Sequence, residues 1–129
     1  MIEDKISDTT IEDQEINKHF EELEITNSTC NKINWKDSKF DYLEITNSKI
    51  NNCIFSNINL SEQTFYKVVF TNCNLIGTNF SSAFLKEIEF KDCNLSYSTF
   101  SMASLEKVCL LYTSPSPRDT ERGGIPSSS

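Results

Sequence analysis

Stepping by five from Phe20, the chain meets Phe20, Ile25, Cys30, Trp35, Phe40, Ile45, Ile50, Phe55, Leu60, Phe65, Phe70, Leu75, Phe80, Leu85, Phe90, Leu95, Phe100 and Leu105. Seventeen of these 18 centres are large and apolar; Cys30 is the exception and reads as a slightly underfilled core site. Two residues ahead of each centre runs a second series, mostly small or aliphatic, while the intervening positions are rich in Asn, Ser, Thr, Lys, Asp and Glu. A period of five fits neither the roughly 3.6 residues of a helical turn nor the two of a strand. Residues two apart do point the same way on a short extended segment, so the rest of each five must turn the chain. Repeating that turn winds a coil with apolar side chains inside, a solenoid whose units bury their apolar face only by stacking.

A longer repeat sets the number of sides. Leu23–Ser28 and Leu43–Ser48 both read LEITNS, twenty residues apart. Phe70–Leu75 (FTNCNL) and Phe90–Leu95 (FKDCNL) are offset by the same twenty, as are Cys53, Cys73 and Cys93. Four fives per coil predict a four-sided, all-β parallel solenoid over residues 18–108. Eighteen centres make about four and a half coils, or about 22 Å at roughly 4.8 Å per stacked strand.

Cys73-Asn74-Leu75-Ile76-Gly77, Ala83-Phe84-Leu85-Lys86-Glu87, Cys93-Asn94-Leu95-Ser96-Tyr97 and Ala103-Ser104-Leu105-Glu106-Lys107 resemble the pattern A/C-D/N-L-X-X of pentapeptide-repeat proteins. The resemblance covers residues 18–107 and implies a right-handed quadrilateral β-helix. The stretch Asn79–Phe100 is similar to the quinolone-resistance (Qnr-like) members in particular.

Residue usage shifts sharply along the chain. All three prolines, both arginines and two of the three glycines fall after residue 114, leaving Gly77 alone before that point. So few turn residues exclude an ordinary hairpin-rich β protein. Cys109–Asp119 (CLLYTSPSPRD) resembles a translated sequencing adapter, and the change in usage begins there. Residues 109–129 are therefore expected to be a non-native, disordered tail, with the native array cut at about Val108. Such a cut would leave an unpaired apolar end at Leu105–Val108, prone to association, onto which Val108, Leu110 and Tyr112 could pair. The lysine- and asparagine-rich composition points to an AT-rich bacterial genome.

The 129 residues have the length of one domain and a net charge of −7. No run of 18 apolar residues marks a membrane span, the acidic N-terminus lacks a signal-peptide core, and a cytoplasmic location is expected. Residues 1–24 hold nine acidic side chains and two lysines, whereas residues 25–108 hold eight of each sign. Residues 1–17 read as an acidic leader: a solvated cap, a disordered arm or a partner-binding segment, with room for a short helix over the first coil's open edge.

The most tempting site is the stacked ladder of Cys53, Cys73 and Cys93. Three thiolates hint at metal binding, but no His or fourth thiolate joins them, and an inward Cys is a favoured small hydrophobe; no metal is expected. Neighbouring members come within disulfide reach, though a cytosolic chain would keep them reduced. His19, the only histidine, has no Ser, Asp or Glu in a catalytic pattern beside it. No enzyme activity and no cofactor are expected. Lys18 and Gln63 break the inner series; Lys18 marks a solvated entrance, and Gln63 predicts a bulge or an outward corner. Tyr66, Phe84 and Tyr97 are candidate exposed aromatics.

The resemblance implies a non-enzymatic binding protein. Qnr-like members are acidic rods that occupy the DNA-binding surface of type II topoisomerases, DNA gyrase and topoisomerase IV, by mimicking DNA. Their projecting loops have no counterpart insertion here. They dimerise through a C-terminal end, so the full-length parent is expected to be a homodimer. The deficit of basic residues argues against direct nucleic-acid binding. A structural or scaffolding solenoid with an unassigned protein partner is the alternative reading.

Overall fold

A computed structural model describes residues 4–111. The ten strands are β1 (Lys5–Ser7), β2 (Thr10–Glu15), β3 (His19–Phe20), β4 (Leu23–Thr26), β5 (Thr29–Asn34), β6 (Lys39–Phe40), β7 (Leu43–Asn51), β8 (Thr64–Thr71), β9 (Phe84–Lys91) and β10 (Ser104–Leu111). Every pairing between them is parallel. From β4 onward each residue stacks on the one twenty positions later: Ile25 on Ile45, Ile45 on Phe65, Phe65 on Leu85, Leu85 on Leu105. The chain is a right-handed four-sided parallel β-helix of about five turns, with no helix among the described residues.

Two of the four faces are continuous sheet. The first runs β1-β4-β7-β8-β9-β10, and the second is built from β2, β5 and the later halves of β7 to β10. The third and fourth faces are held by single bridges, Asn34–Ile54–Asn74–Asn94 on one and Asn59–Asn79–Thr99 on the other, with the β3–β6 pair opening the fourth.

The corners explain how a chain so poor in glycine turns so often. Two residues beyond almost every centre the backbone takes a positive φ, at Asn27, Lys32, Asp37, Asn47, Asn52, Asn57 and onward to Lys107. Nine of the 17 non-glycine residues in this state are Asn or Asp, the types that tolerate it best. At the third and fourth faces the corner closes with an i+3 hydrogen bond, as from Ile58 N–H to the Phe55 carbonyl and from Thr78 N–H to that of Leu75. The asparagine before the centre sets up this turn: the side-chain oxygens of Asn59, Asn74, Asn79 and Asn94 accept from the N–H two residues on. That is the physical content of the Asn-Leu step in the repeat. Gly77 (φ +70°) is the one glycine among the described residues, and a Cβ there would run into Asn57 Oδ1.

The interior is a column of rings and aliphatic chains. Phe20 stacks on Phe40, Trp35 on Phe55, Phe70 on Phe90 and Phe80 on Phe100, with centroids 4.9–5.7 Å apart. Edge contacts link adjacent faces, as between Phe65 and Phe80 at 5.8 Å. Such pairs add about 0.5–1.5 kcal/mol beyond the area they bury. Of the seventeen large centres only Leu105, on the last strand, is exposed, at 40%.

Two features differ from the sequence expectation. The acidic leader is wound into the tube: Ile6 pairs with Ile25 and Ile11 with Cys30, and Ile6 and Ile16 are buried. These pairings step by 19 residues, and the 20-residue step begins at His19–Lys39. One residue is missing from the first coil, so Ile6, Ile11 and Ile16 keep the five-residue period in a different phase. Counting back from Phe20 lands on Glu15, Thr10 and Lys5 and misses them.

Gln63 forms neither a bulge nor an outward corner. It is 6% exposed, and the twenty-residue step holds on both sides of it, at Asn59–Asn79 and at Thr64–Phe84. The corner between the fourth and first faces changes type at this height. In the early coils Glu22 and Tyr42 keep negative φ, and Leu23 N–H donates to the Tyr42 carbonyl one coil up. From Glu62 onward the corner has positive φ, and the Gln63 N–H turns back to the Leu60 carbonyl. The Gln63 side chain bridges the change: Oε1 accepts from Leu43 N–H at 2.7 Å, and Nε2 donates to the Phe40 and Asp41 carbonyls, each at 3.4 Å.

At the other end, β10 continues through Leu111, with Val108 over Ile88 and Leu110 over Phe90. Tyr112 and the rest of the tail lie outside the described residues.

Candidate functional site

The inward cysteines stand in line on the third face. Cys53, Cys73 and Cys93 are buried, and each Sγ donates to a carbonyl of the coil below: Cys30 at 3.4 Å, Ile50 at 3.2 Å and Phe70 at 3.3 Å. All five cysteines are free thiols, and among the described residues no three metal-ligating side chains converge. Burial pushes the Cys30 thiol up to about 12 and the Cys53 thiol up to about 11. Cys73 is raised as well, by its contact with the Cys93 thiol and by burial. Thiols held protonated in this way are poor nucleophiles and poor ligands.

Two consequences are measurable. In the folded protein only the exposed Cys109 should react with a thiol reagent near neutral pH, and Cys30, Cys53, Cys73 and Cys93 should follow on unfolding. Rapid labelling of several thiols without unfolding would contradict this packing. Folding raises the Cys30 and Cys53 pKa values, so these two thiols stay protonated in the folded chain between the ordinary thiol value of 9.0 and about 11 to 12, whereas Cys93 is shifted down by its hydrogen bond with the Cys73 thiol. Stability should be full below that window and fall as pH rises through it.

His19 lies on the outside of the fourth face, with Nε2 3.0 Å from Asp41 Oδ2; both side chains are more than half exposed. No hydroxyl or thiol nucleophile joins them in the described hydrogen bonds. Lys18, exposed at the entrance, holds its ammonium 4.9 Å above the Phe20 ring.

The outward side chains sort by charge. Residues 4–24 carry Asp4, Asp8, Glu12, Asp13, Glu15, Glu21, Glu22 and Glu24 against Lys5 and Lys18. With the leader wound into the tube, this charge belongs to the rod itself. The acidic surface continues at the corner between the fourth and first faces, where Asp41, Tyr42 and Glu44 stack over Glu21, Glu22 and Glu24. Tyr42 registers the field. Its hydroxyl donates to Glu44 at 2.6 Å, and its pKa is pushed up to about 12 by that bond, by burial and by the charges of Glu44, Glu24 and Glu22. Two exposed ion pairs, Lys5–Glu24 at 3.9 Å and Lys36–Glu15 at 3.8 Å, offset little of this.

Of the three aromatics singled out in the sequence, Tyr97 is 88% and Phe84 54% exposed, while Tyr66 is half-buried beneath Lys67 and Lys86. The acidic corner was missed because its members lie one to three residues apart in pieces separated by twenty. Only the coil height brings them together.

The family described as pentapeptide repeat region matches residues 43–114. No curated protein matches the chain. Among solved structures, a pentapeptide repeat protein (Rfr23) from the cyanobacterium Cyanothece 51142 aligns at 14% identity, covering 83% of this chain and 90% of that one, with a TM-score of 0.40. A trypsin-treated form of QnrB1, a plasmid-mediated fluoroquinolone resistance protein, aligns at 15% identity over 81% of this chain and 74% of its own, with a TM-score of 0.25.

Proposed function

This chain belongs to the pentapeptide-repeat family, and from that premise we propose that it is a non-enzymatic binding rod whose acidic end takes the place of nucleic acid on a basic protein surface. The observation that carries this reading is the placement of the carboxylates: Glu21, Glu22, Glu24, Asp41 and Glu44 lie on stacked coils of a rigid four-sided tube. Carboxylates at fixed spacing along a narrow rod can replace phosphates opposite a cationic saddle, and the long-range field speeds the encounter. The DNA-binding surface of a type II topoisomerase, DNA gyrase or topoisomerase IV, is the partner this reading proposes. The similarity of Asn79–Phe100 to quinolone-resistance members points the same way.

The test is supercoiling by purified gyrase in the presence of a fluoroquinolone. Added protein should restore supercoiling, and Glu21→Lys/Glu22→Lys/Asp41→Lys should abolish the rescue. If the protein protects no better than an inert one, topoisomerase protection is excluded. A scaffolding role with another protein draws on a different observation, the neutral outer rows Asn59–Ser61, Asn79–Ser81 and Thr99–Ser101 of the fourth face. Binding that survives reversal of the acidic corner would favour it.

A further inference from the structure

The three inward cysteines of the third face are not equivalent. Cys73 and Cys93 sit in register on adjacent coils: Asn74 bridges to Asn94, and the Asn94 N–H donates to the Cys73 carbonyl at 3.0 Å. Their thiols also share a side-chain hydrogen bond, which shifts Cys93 down and Cys73 up. Cys53 stands in the same register below Cys73, but the hydrogen bond it offers comes from its backbone, and burial raises its own thiol. One adjacent pair of the column therefore joins an acidified thiol to a protonated one.

In such a pair one sulfur can attack an oxidant while the other resolves the product. We propose that Cys73 and Cys93 form a reversible redox pair, oxidised by hydrogen peroxide to a disulfide that staples two adjacent coils. The Cys93 thiolate attacks one peroxide oxygen, the O–O bond breaks, and Cys93 becomes a sulfenic acid as hydroxide leaves. The Cys73 sulfur then bonds to Cys93 Sγ, the S–OH bond breaks, and the Cys73 proton departs with that hydroxide as water. In sum, two thiols give up two electrons and two protons, and one peroxide is reduced to two waters.

Residues stacked across a strand pair lie roughly 4.8 Å apart, inside the Cα span of disulfides, about 4.4–6.8 Å. Side chains that point the same way hold their Cβ atoms about as far apart, beyond the usual span of about 3.5–4.5 Å. The staple is therefore strained and easily reduced, which makes it reversible. Both thiols are at most 4% exposed. Peroxide, a small molecule, reaches them through brief local openings of the coils, whereas bulkier thiol reagents are kept out until the chain unfolds.

Peroxide treatment of the full chain carrying Cys109→Ser, which removes the exposed thiol, tests this. The product should be lighter by two hydrogen atoms and unfold at higher urea, and dithiothreitol should reverse both changes. After blocking and tryptic digestion without reductant, the peptide of residues 68–86 should be joined to that of residues 92–107. Cys73→Ser and Cys93→Ser should each abolish this link. Serine already fills buried inner sites at Ser28, Ser48 and Ser98, and circular dichroism checks that both variants fold. In urea the Cys53–Cys73 and Cys73–Cys93 loops are equally long, so peroxide should then join residues 50–67 to 68–86 as readily. Selectivity for the Cys73–Cys93 link in the folded chain is the result expected. Both links in equal yield from the folded chain, no loss of mass, or Cys93 oxidised without joining Cys73 would each overturn the proposal.

Discussion

Phe70→Ala is expected to cost about 3–5 kcal/mol, a large share of the about 5–15 kcal/mol that holds a typical domain folded. Phe70 is fully buried at mid-array, stacked on Phe90 at 5.1 Å, in edge contact with Phe55 at 6.4 Å and tilted against Phe65 at 6.2 Å. Truncation removes the ring's transfer free energy and leaves a cavity, since strands above and below lock the tube walls and limit collapse. In a solenoid each coil is stabilised chiefly by its neighbours, so a break in the middle uncouples both ends. Phe100→Ala, near the last coil and already 8% exposed, should cost less. Urea unfolding of the two variants measures the difference. A cost under about 1 kcal/mol at Phe70 would mean that the interior is not a packed column.

Gln63→Leu is the second large effect, and its direction opposes the repeat. A leucine looks closer to the mostly small or aliphatic inner series than the glutamine it replaces, and on pattern alone the change would stabilise. It should instead destabilise by about 1–3 kcal/mol, the cost of leaving buried polar groups unpaired. Leu43 N–H would lose its acceptor, and the Phe40 and Asp41 carbonyls would lose the Nε2 donor. Loss of the bonds at 3.4 Å should matter less than loss of the one at 2.7 Å. If Gln63→Leu melts at or above the wild-type temperature, the amide is not what joins the two corner types.

Much of the architecture was legible because it rests on side-chain spacing alone. An apolar residue at each fifth position, with repeats at twenty, leaves one way to bury every centre: four short faces per coil, stacked in parallel. The Cys53–Cys73–Cys93 column followed from the same arithmetic, and the carbonyls that receive its thiols follow from the strand stacking. The corners were less legible. Their positive φ falls on Lys, Glu, Ser, Tyr and Met as well as Asn and Asp, because the stacking of neighbouring coils outweighs about 1–2 kcal/mol of local backbone preference.

The period in this chain therefore determined by itself the solenoid, its four sides and which side chains fill it, since burial of apolar surface depends only on which residues recur together. Tertiary structure alone decided three things. The loss of one residue in the first coil moved Ile6 and Ile16 into the core, packed Ile11 against it and brought the acidic segment onto the rod. The change of corner at Glu62 turned Gln63 from a misfit into a splice. Stacking gathered Glu21, Glu22, Glu24, Asp41 and Glu44 on one edge. Each depends on where a backbone hydrogen bond goes or on which coils lie at the same height, and neither is a property of residues counted along the chain.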